Sequence, residues 1–316
     1  MIRDTLIVAS VLVCLGLAWI GAEWAWMNYV PAPTPIEVPV DAFVRHAGYE
    51  AMADRGIEAF AAMPASRRRE LVENLRSNIG NLDEELARLD ESRLAILCVG
   101  ERHMASTRRF LADTMFPKLA IDALFLEIPG DELPEMLRQI DAGVPEVLLL
   151  DEDIAAVVRS VRNSNADVVI AGIDESASQK AQRYHLKRGS RDISIAGNLR
   201  SQIRRQKRHA VLFGALHCAD QPNWMYRRIR TSERRVNREE IRNVNIIGEH
   251  QDGTLEAFMV FAHSVGVDAR EFMIADTGAL DRLIFTWFPA LTNSFLRFDS
   301  VIVFREHDHT HIRNRR

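Results

Sequence analysis

Residues 94–103 read LAILCVGERH: six apolar residues, then a glycine, a glutamate, an arginine and a histidine. An apolar run this short, closed by glycine, predicts a strand buried on both faces and ending in a sharp turn. The same grammar returns three times downstream. Residues 123–128 (ALFLEI) are closed by Pro129-Gly130, 168–173 (VVIAGI) run into Asp174-Glu175, and 210–213 (AVLF) run into Gly214-Ala215-Leu216-His217-Cys218. Between them, 106–119, 132–142, 151–161 and 193–206 carry the three- and four-residue apolar spacing of amphipathic helices. Later apolar runs at 244–247, 272–274 and 300–304 predict further strands. Strands alternating with helices predict an α/β fold, a mostly parallel central sheet flanked by helices on both faces.

Outward from this core the chain divides. Residues 41–90 read as a helical lead-in, 91–305 as the core and 306–316 as a tail, together an α/β domain spanning 41–316. Residues 5–22, TLIVASVLVCLGLAWIGA, are eighteen uncharged residues; as a helix they are roughly 27 Å long, near the thickness of a bilayer core. Arg3 precedes them and the next basic residue after them is Arg45, which orients the N-terminus to the cytoplasm. Trp19, Trp24, Trp26 and Tyr29 suit an interfacial belt, so residues 1–30 are expected to be a transmembrane signal anchor. A cleaved signal peptide ending at Ala22 and a buried soluble helix are the competing readings. Residues 31–40 hold Pro31, Pro33, Pro35 and Pro39, a stiff spacer. The expectation is a single-pass membrane protein with its body in the periplasm or otherwise outside the cytoplasm.

Composition narrows the function. Lys+Arg 40 against Asp+Glu 44 gives a formal charge of −4, so nucleic acid is not an expected partner. Three cysteines exclude a disulfide scaffold. Cys98 and Cys218 could still be bridged if their strands are neighbours. His217 and Cys218, read as consecutive strand residues, face opposite ways and make a poor nucleophilic pair.

Ligands in such sheets bind beyond the carboxyl ends of the strands, so the residues there matter most. Glu101 and His103, two apart, project to one side if the backbone is extended; Glu127 is acidic within an apolar run. Gly100-x-x-His103 and Gly214-x-x-His217 repeat one spacing at two strand ends. Each residue has a plainer reading, as a cap, a turn or a satisfied core group. The Arg-rich stretch 219–240 reads as an exposed loop or lid, the run Arg67-Arg68-Arg69 as a solvated helix face, and the tail His307, His309 and His311 as a solvated end.

Four segments in order, VGERH (99–103), LFLEI (124–128), RDISIAGNL (191–199) and LFGALH (212–217), resemble the superfamily that joins erythromycin esterases, ChaN-type haem-binding lipoproteins and the TIKI/TraB metalloproteases. FDSVIVF (298–304) is similar to its closing strand, so the resemblance covers about residues 94–304. Arg102 and Gly197 depart from the pattern, in slots that are smaller or apolar and bulkier, respectively. The resemblance implies a site of Glu101, His103, Glu127, Arg191 and His217 and the hydrolysis of an ester or amide, in a small-molecule or peptide substrate. His103 or His217 would activate water, Glu101 or Glu127 would orient the imidazole or act as base, and Arg191 would stabilise negative charge. It also implies two alternatives. One is a divalent transition metal on Glu101, His103 and His217. The other is haem capture without catalysis, for which Tyr49, Tyr184, His185 and His46 are the candidate axial ligands. A membrane-tethered module that keeps the fold without activity is a third reading.

Overall fold

The computed structural model describes residues 49–92, 94–143, 152–186, 190–248, 253–268 and 271–305. The anchor and spacer at 1–40, His46 and the histidine tail lie outside them. No helix among the described residues is long and apolar enough to cross a membrane.

Eight strands form one sheet: β1 (Ile79–Asn81), β2 (Ile96–Glu101), β3 (Ala123–Pro129), β4 (Val169–Asp174), β5 (His209–Gly214), β6 (Ile241–Gly248), β7 (Phe272–Ile274) and β8 (Ser300–Phe304). Their order is β1-β7-β8-β6-β2-β5-β3-β4. The pairings of β7 with β1 and β8 are antiparallel and the rest are parallel. The sheet is thus mostly parallel, as the strand–helix alternation predicts.

Both faces are covered, which is why the strands read as continuous apolar runs. Along β2, Ile96 and Cys98 face one core with Phe125, Phe213, Tyr226 and Phe258, while Leu97 and Val99 face the other with Leu124, Leu212, Phe116 and Val158. Helices Tyr49–Ala61, Arg191–Gln202, Met225–Ser232 and Gly253–Ser264 close the first layer; Leu82–Glu91, Ala105–Phe110 and Glu152–Ser164 close the second. Each large side chain taken fully out of water contributes about 1.5–3 kcal/mol before the chain entropy is subtracted.

Four local expectations are corrected. The stretch 41–90 is not helical throughout, because Ile79–Asn81 is a strand on the sheet edge. Three residues with a central glycine carry no periodicity; only pairing with β7 reveals them. The helix expected over 106–119 is Ala105–Phe110, then a π-turn Leu111–Met115 and a 3-10 turn Phe116–Lys118 that contains Pro117. Residues Ala215–Cys218 leave β5 as a helical turn, so the alternating-face argument about His217 and Cys218 does not apply. Within 219–240, Met225–Ser232 is a helix whose Met225, Tyr226 and Ile229 are buried. Apolar residues at i, i+1 and i+4 pin it to the body, Arg230 adds a bond to Asp299, and of its arginines Arg227 is the exposed one, so this helix is no lid.

Candidate functional site at the strand ends

Strands β2, β5, β3 and β4 are consecutive in the sheet. Their carboxyl ends place Glu101, Gly214, Glu127 and Asp174 along one edge. Glu101 pairs in register with Gly214. The β3–β4 register shifts between Leu126 and Pro129, so Glu127 sits at a bulge, a device that re-aims a side chain at the end of a strand.

His103 follows β2 with a φ of 54°, a left-handed conformation unusual for a non-glycine residue. The chain therefore turns, rather than extending as the sequence suggests, and still brings the ring back over Glu101. His103 Nδ1 lies 3.3 Å from Glu101 Oε1, and Nε2 lies 3.4 Å from Glu127 Oε2. Arg108 completes this side: its Nε donates to Glu101 Oε1 at 2.9 Å, and its terminal nitrogen lies 3.0 Å from His103 Nδ1. Glu101 is buried, and its Oε2 has no hydrogen-bond partner among the described residues. The bond with Glu101 raises the His103 pKa; partial burial opposes this, Glu127 adds to it and Arg108 counters it. The imidazole is therefore a stronger base than an ordinary histidine.

Arg191 opens the helix Arg191–Gln202 and makes a two-pronged bond to Asp174, Nε to Oδ1 at 2.8 Å and a terminal nitrogen to Oδ2 at 2.6 Å. That terminal nitrogen also donates to Glu127 Oε1 at 2.7 Å, and the other lies 3.3 Å from His217 Nε2. Bonding to Asp174, with smaller help from Glu127, pushes the guanidinium pKa up and fixes its charge. Asn198 ties the same helix to β4 by donating to the carbonyl of Asp174 at 3.0 Å.

His217 is held from behind. Its Nδ1 is 2.8 Å from Asp192 Oδ1, and its ring packs against Phe213 and Trp224. Cys218, the next residue, is joined to Cys98 of β2 by a disulfide, with Cα atoms 5.6 Å apart. That bond fixes His217 relative to Glu101 and removes Cys218 as a nucleophile. Two glycines permit this close assembly. A Cβ on Gly100 would stand 3.0 Å from the backbone of Ala215, and one on Gly214 would stand 2.7 Å from His103 Nε2. The Gly214 amide also donates to Glu127 Oε2 at 2.7 Å.

All five residues named from the sequence therefore meet. Three more belong with them: Arg108, Asp174 and Asp192. Arg108 had a readable signal, because it lies three and four residues before buried Leu111 and Ala112, on a face that should be apolar. Asp192 lies inside the RDISIAGNL segment, and Asp174 ends β4. A cleft of about 190 Å³ opens over the group, lined by His103, Glu127, Arg191, Ile128 and Ile154 among others.

The metal trio can be tested on this geometry. Glu101 Oε1 is engaged with His103 and Arg108, whereas His217 Nε2 faces Arg191 and Glu127. Two guanidiniums stand where ligand lone pairs would have to converge, and among the described residues no group of three or more His, Cys, Asp or Glu is set to hold a metal. As arranged, the trio does not fit metal ligation. Of the haem candidates, His46 lies outside the described residues; Tyr184 is exposed beneath the stacked guanidinium of Arg183, His185 is exposed, and neither they nor Tyr49 line the cleft.

No family model matches the chain, and no curated protein matches it. Among solved structures, two described as bacterial protein toxins are similar at 17% and 16% identity, with TM-scores of 0.35 and 0.36. Each match covers 63% of this chain and 45% of the toxin chain, so this chain matches less than half the length of either. Likeness that low transfers neither fold nor function.

Proposed function

We propose that the protein is a hydrolase of the erythromycin esterase, ChaN and TIKI/TraB superfamily that opens an ester or amide with water, using its own side chains. The observation that carries this reading is the placement of His103. Its side chain is 46% exposed to the cleft, while two carboxylates lie within 3.4 Å of its ring nitrogens. An imidazole so placed can take a proton from water at Nε2, and Glu127 and Glu101 stabilise the imidazolium that forms. Arg191, fixed by Asp174 and lining the cleft, is the donor available to the oxyanion. His103 then returns its proton to the leaving group, as one imidazole does in both halves of a triad mechanism. His217, oriented by Asp192, accepts from Arg191 at Nε2 and so positions the guanidinium.

The Cys98–Cys218 bond supports the further proposal of an anchored body outside the cytoplasm, where disulfides persist. The test is hydrolysis of a panel of activated esters and anilides by purified full-length protein, with His103→Ala and Arg191→Ala beside it. The expectation is turnover that falls by about 10²–10⁴ in His103→Ala. Turnover unchanged in both variants would remove this reading.

A further inference from the structure

Loops 203–208 and 233–240 lead into β5 and β6, and the first residues of those strands, His209 and Ile241, both stand opposite Ile96 of β2. The loops are therefore neighbours at the amino end of the sheet, the end opposite Glu101 and Gly214. Side chains tie them together. Arg235 donates to the carbonyl of Ile203 at 2.9 Å and to that of Arg200, and Arg200 donates to Ser232 Oγ at 3.2 Å. Burial lowers the His209 pKa, and the charges of Arg204 and Arg235 both add to that, so guanidiniums from the two loops converge on one point.

Arg200, Arg204, Arg205, Arg234 and Arg238 are exposed, and none is paired with a carboxylate among the described residues. Arg200 and Arg238 donate only to neutral oxygens. The acids of the two loops are Glu233, Glu239 and Glu240; Glu233 is bound to Arg235, and Glu240 is turned back on Asn237. Asp122 and Asp90, beside the loops, are bound to Lys207 and Arg208. Five arginines against Glu239 and Glu240 leave a formal excess of three positive charges on this face, in a chain whose formal charge is −4. Positive charge segregated in this way suits a polyanionic surface.

The chain itself points to which surface. The uncharged stretch 5–22, expected to lie in a bilayer, is joined to the helix Tyr49–Ala61 by residues 23–48. Such a tether keeps the body near the headgroups at an effective concentration of about a millimolar, so weak electrostatic docking is enough to orient it. Resting on the anchored reading and not on hydrolysis, we infer that the amino end of the sheet docks on anionic phospholipid headgroups through Arg200, Arg204, Arg205, Arg234 and Arg238. Strands β2 and β5 are six residues long, so the cleft at their other end stands roughly 20 Å further from the lipid. Its substrate then arrives from the aqueous side.

The experiment is backbone hydrogen exchange on the full-length protein, in nanodiscs of phosphatidylcholine alone and of phosphatidylcholine with phosphatidylglycerol. Amides of 203–208 and 233–239 should exchange about fivefold slower, or more, in the anionic discs at about 0.1 M NaCl, and equally in both at about 0.5 M. In the triple variant Arg204→Gln, Arg205→Gln, Arg234→Gln the docking constant should fall roughly a hundredfold, about fivefold per arginine, and the difference between discs should vanish. Lys180→Gln, which removes an exposed charge from the helix that follows β4, should keep it. Wild-type exchange alike in the two discs, or a difference that survives the triple variant, overturns the inference. So does protection of the same amides by duplex DNA and not by anionic discs, which would give the face to nucleic acid. Flotation with vesicles reads the anchor separately. A protein that does not float with phosphatidylcholine has no anchor, and if it floats with phosphatidylglycerol only while these arginines are present, the face stands without it. A protein that floats with neither removes both.

Discussion

The Nδ1 of His217 lies 2.8 Å from Oδ1 of Asp192, and the same oxygen accepts the backbone amide of Met225 at 2.8 Å. A carboxylate that accepts only, buried between an imidazole and an amide, sets the tautomer: Nδ1 carries the proton and Nε2 is bare toward Arg191. Asp192→Asn presents an amide that can turn its NH2 toward the ring and so reverse that choice. Its expected effect is a loss of kcat of about ten- to a hundredfold with KM nearly unchanged, in a protein that melts close to wild type. Full activity in a folded Asp192→Asn protein would show that His217 needs no such orientation.

The raised pKa of His103 has a sign that can be checked. The base form must be free, so kcat/KM should fall on the acid side with a midpoint above the ordinary histidine value of about 6.5. Glu101 supplies the largest raising contribution, so Glu101→Gln should move that midpoint down. For stability the direction is opposite. A histidine raised in the folded state contributes fully below about pH 6.5, and its contribution fades as pH rises through the folded value. A pH–rate profile of both proteins decides the first point; a midpoint that does not move exonerates Glu101.

His209 behaves in the reverse sense. It is buried, with Nδ1 2.9 Å from the carbonyl of Ala95 and Nε2 accepting the Arg204 amide at 3.2 Å, an arrangement for the neutral ring. Burial lowers its pKa, with Ala95 and Asp122 opposing. The stability tied to the neutral ring is complete above about pH 6.5 and declines as pH falls from there toward the lower folded value. Urea unfolding at pH 7.5 and 5.0 should show this decline, and His209→Gln should flatten it. An equal decline in the variant would assign it to other groups.

Two glycines should respond in opposite ways. Gly197 lies within the helix Arg191–Gln202, and a Cβ there meets nothing within 4 Å. Gly197→Ala is expected to stabilise by about 0.5–1 kcal/mol, a rise in Tm of roughly 1–3 °C. Gly214→Ala would drive a methyl against His103 Nε2 and cut turnover at least tenfold. Thermal melts and steady-state rates read both.

The disulfide spans 120 residues of sequence, so by chain entropy it contributes on the order of 4–5 kcal/mol. Cys98→Ala with Cys218→Ala should lower Tm and, because His217 adjoins Cys218, reduce activity at temperatures where the variant is still folded. A variant that is less stable but fully active would confine the bond to stability.

Much of this was legible because buried parallel strands announce themselves. The register of apolar runs against glycines located β2, β3, β4 and β5, and with them Glu101, Glu127 and His217. What escaped was set by tertiary pairing. The strand Ile79–Asn81 exists only because β7 lies beside it. The left-handed turn at His103 has no glycine to signal it. The helix face of Arg108 sets it apart from Arg109, but the carboxylate it binds, Glu101, shows only in the fold. Asp174 and Asp192 look like ordinary strand-end and helix-start acids until Arg191 and His217 are seen to bind them.

The strand order holds a consequence for biosynthesis. β5 lies between β2 and β3, yet it is made some eighty residues after β3. Until His209–Gly214 emerges, β2 and β3 have no strand between them, and each shows a bare apolar edge to whatever is nearby. Nascent chains ending near residue 205 should therefore clump or recruit a holdase, whereas chains that reach Cys218 can insert the strand, close the sheet and lock it with one oxidation.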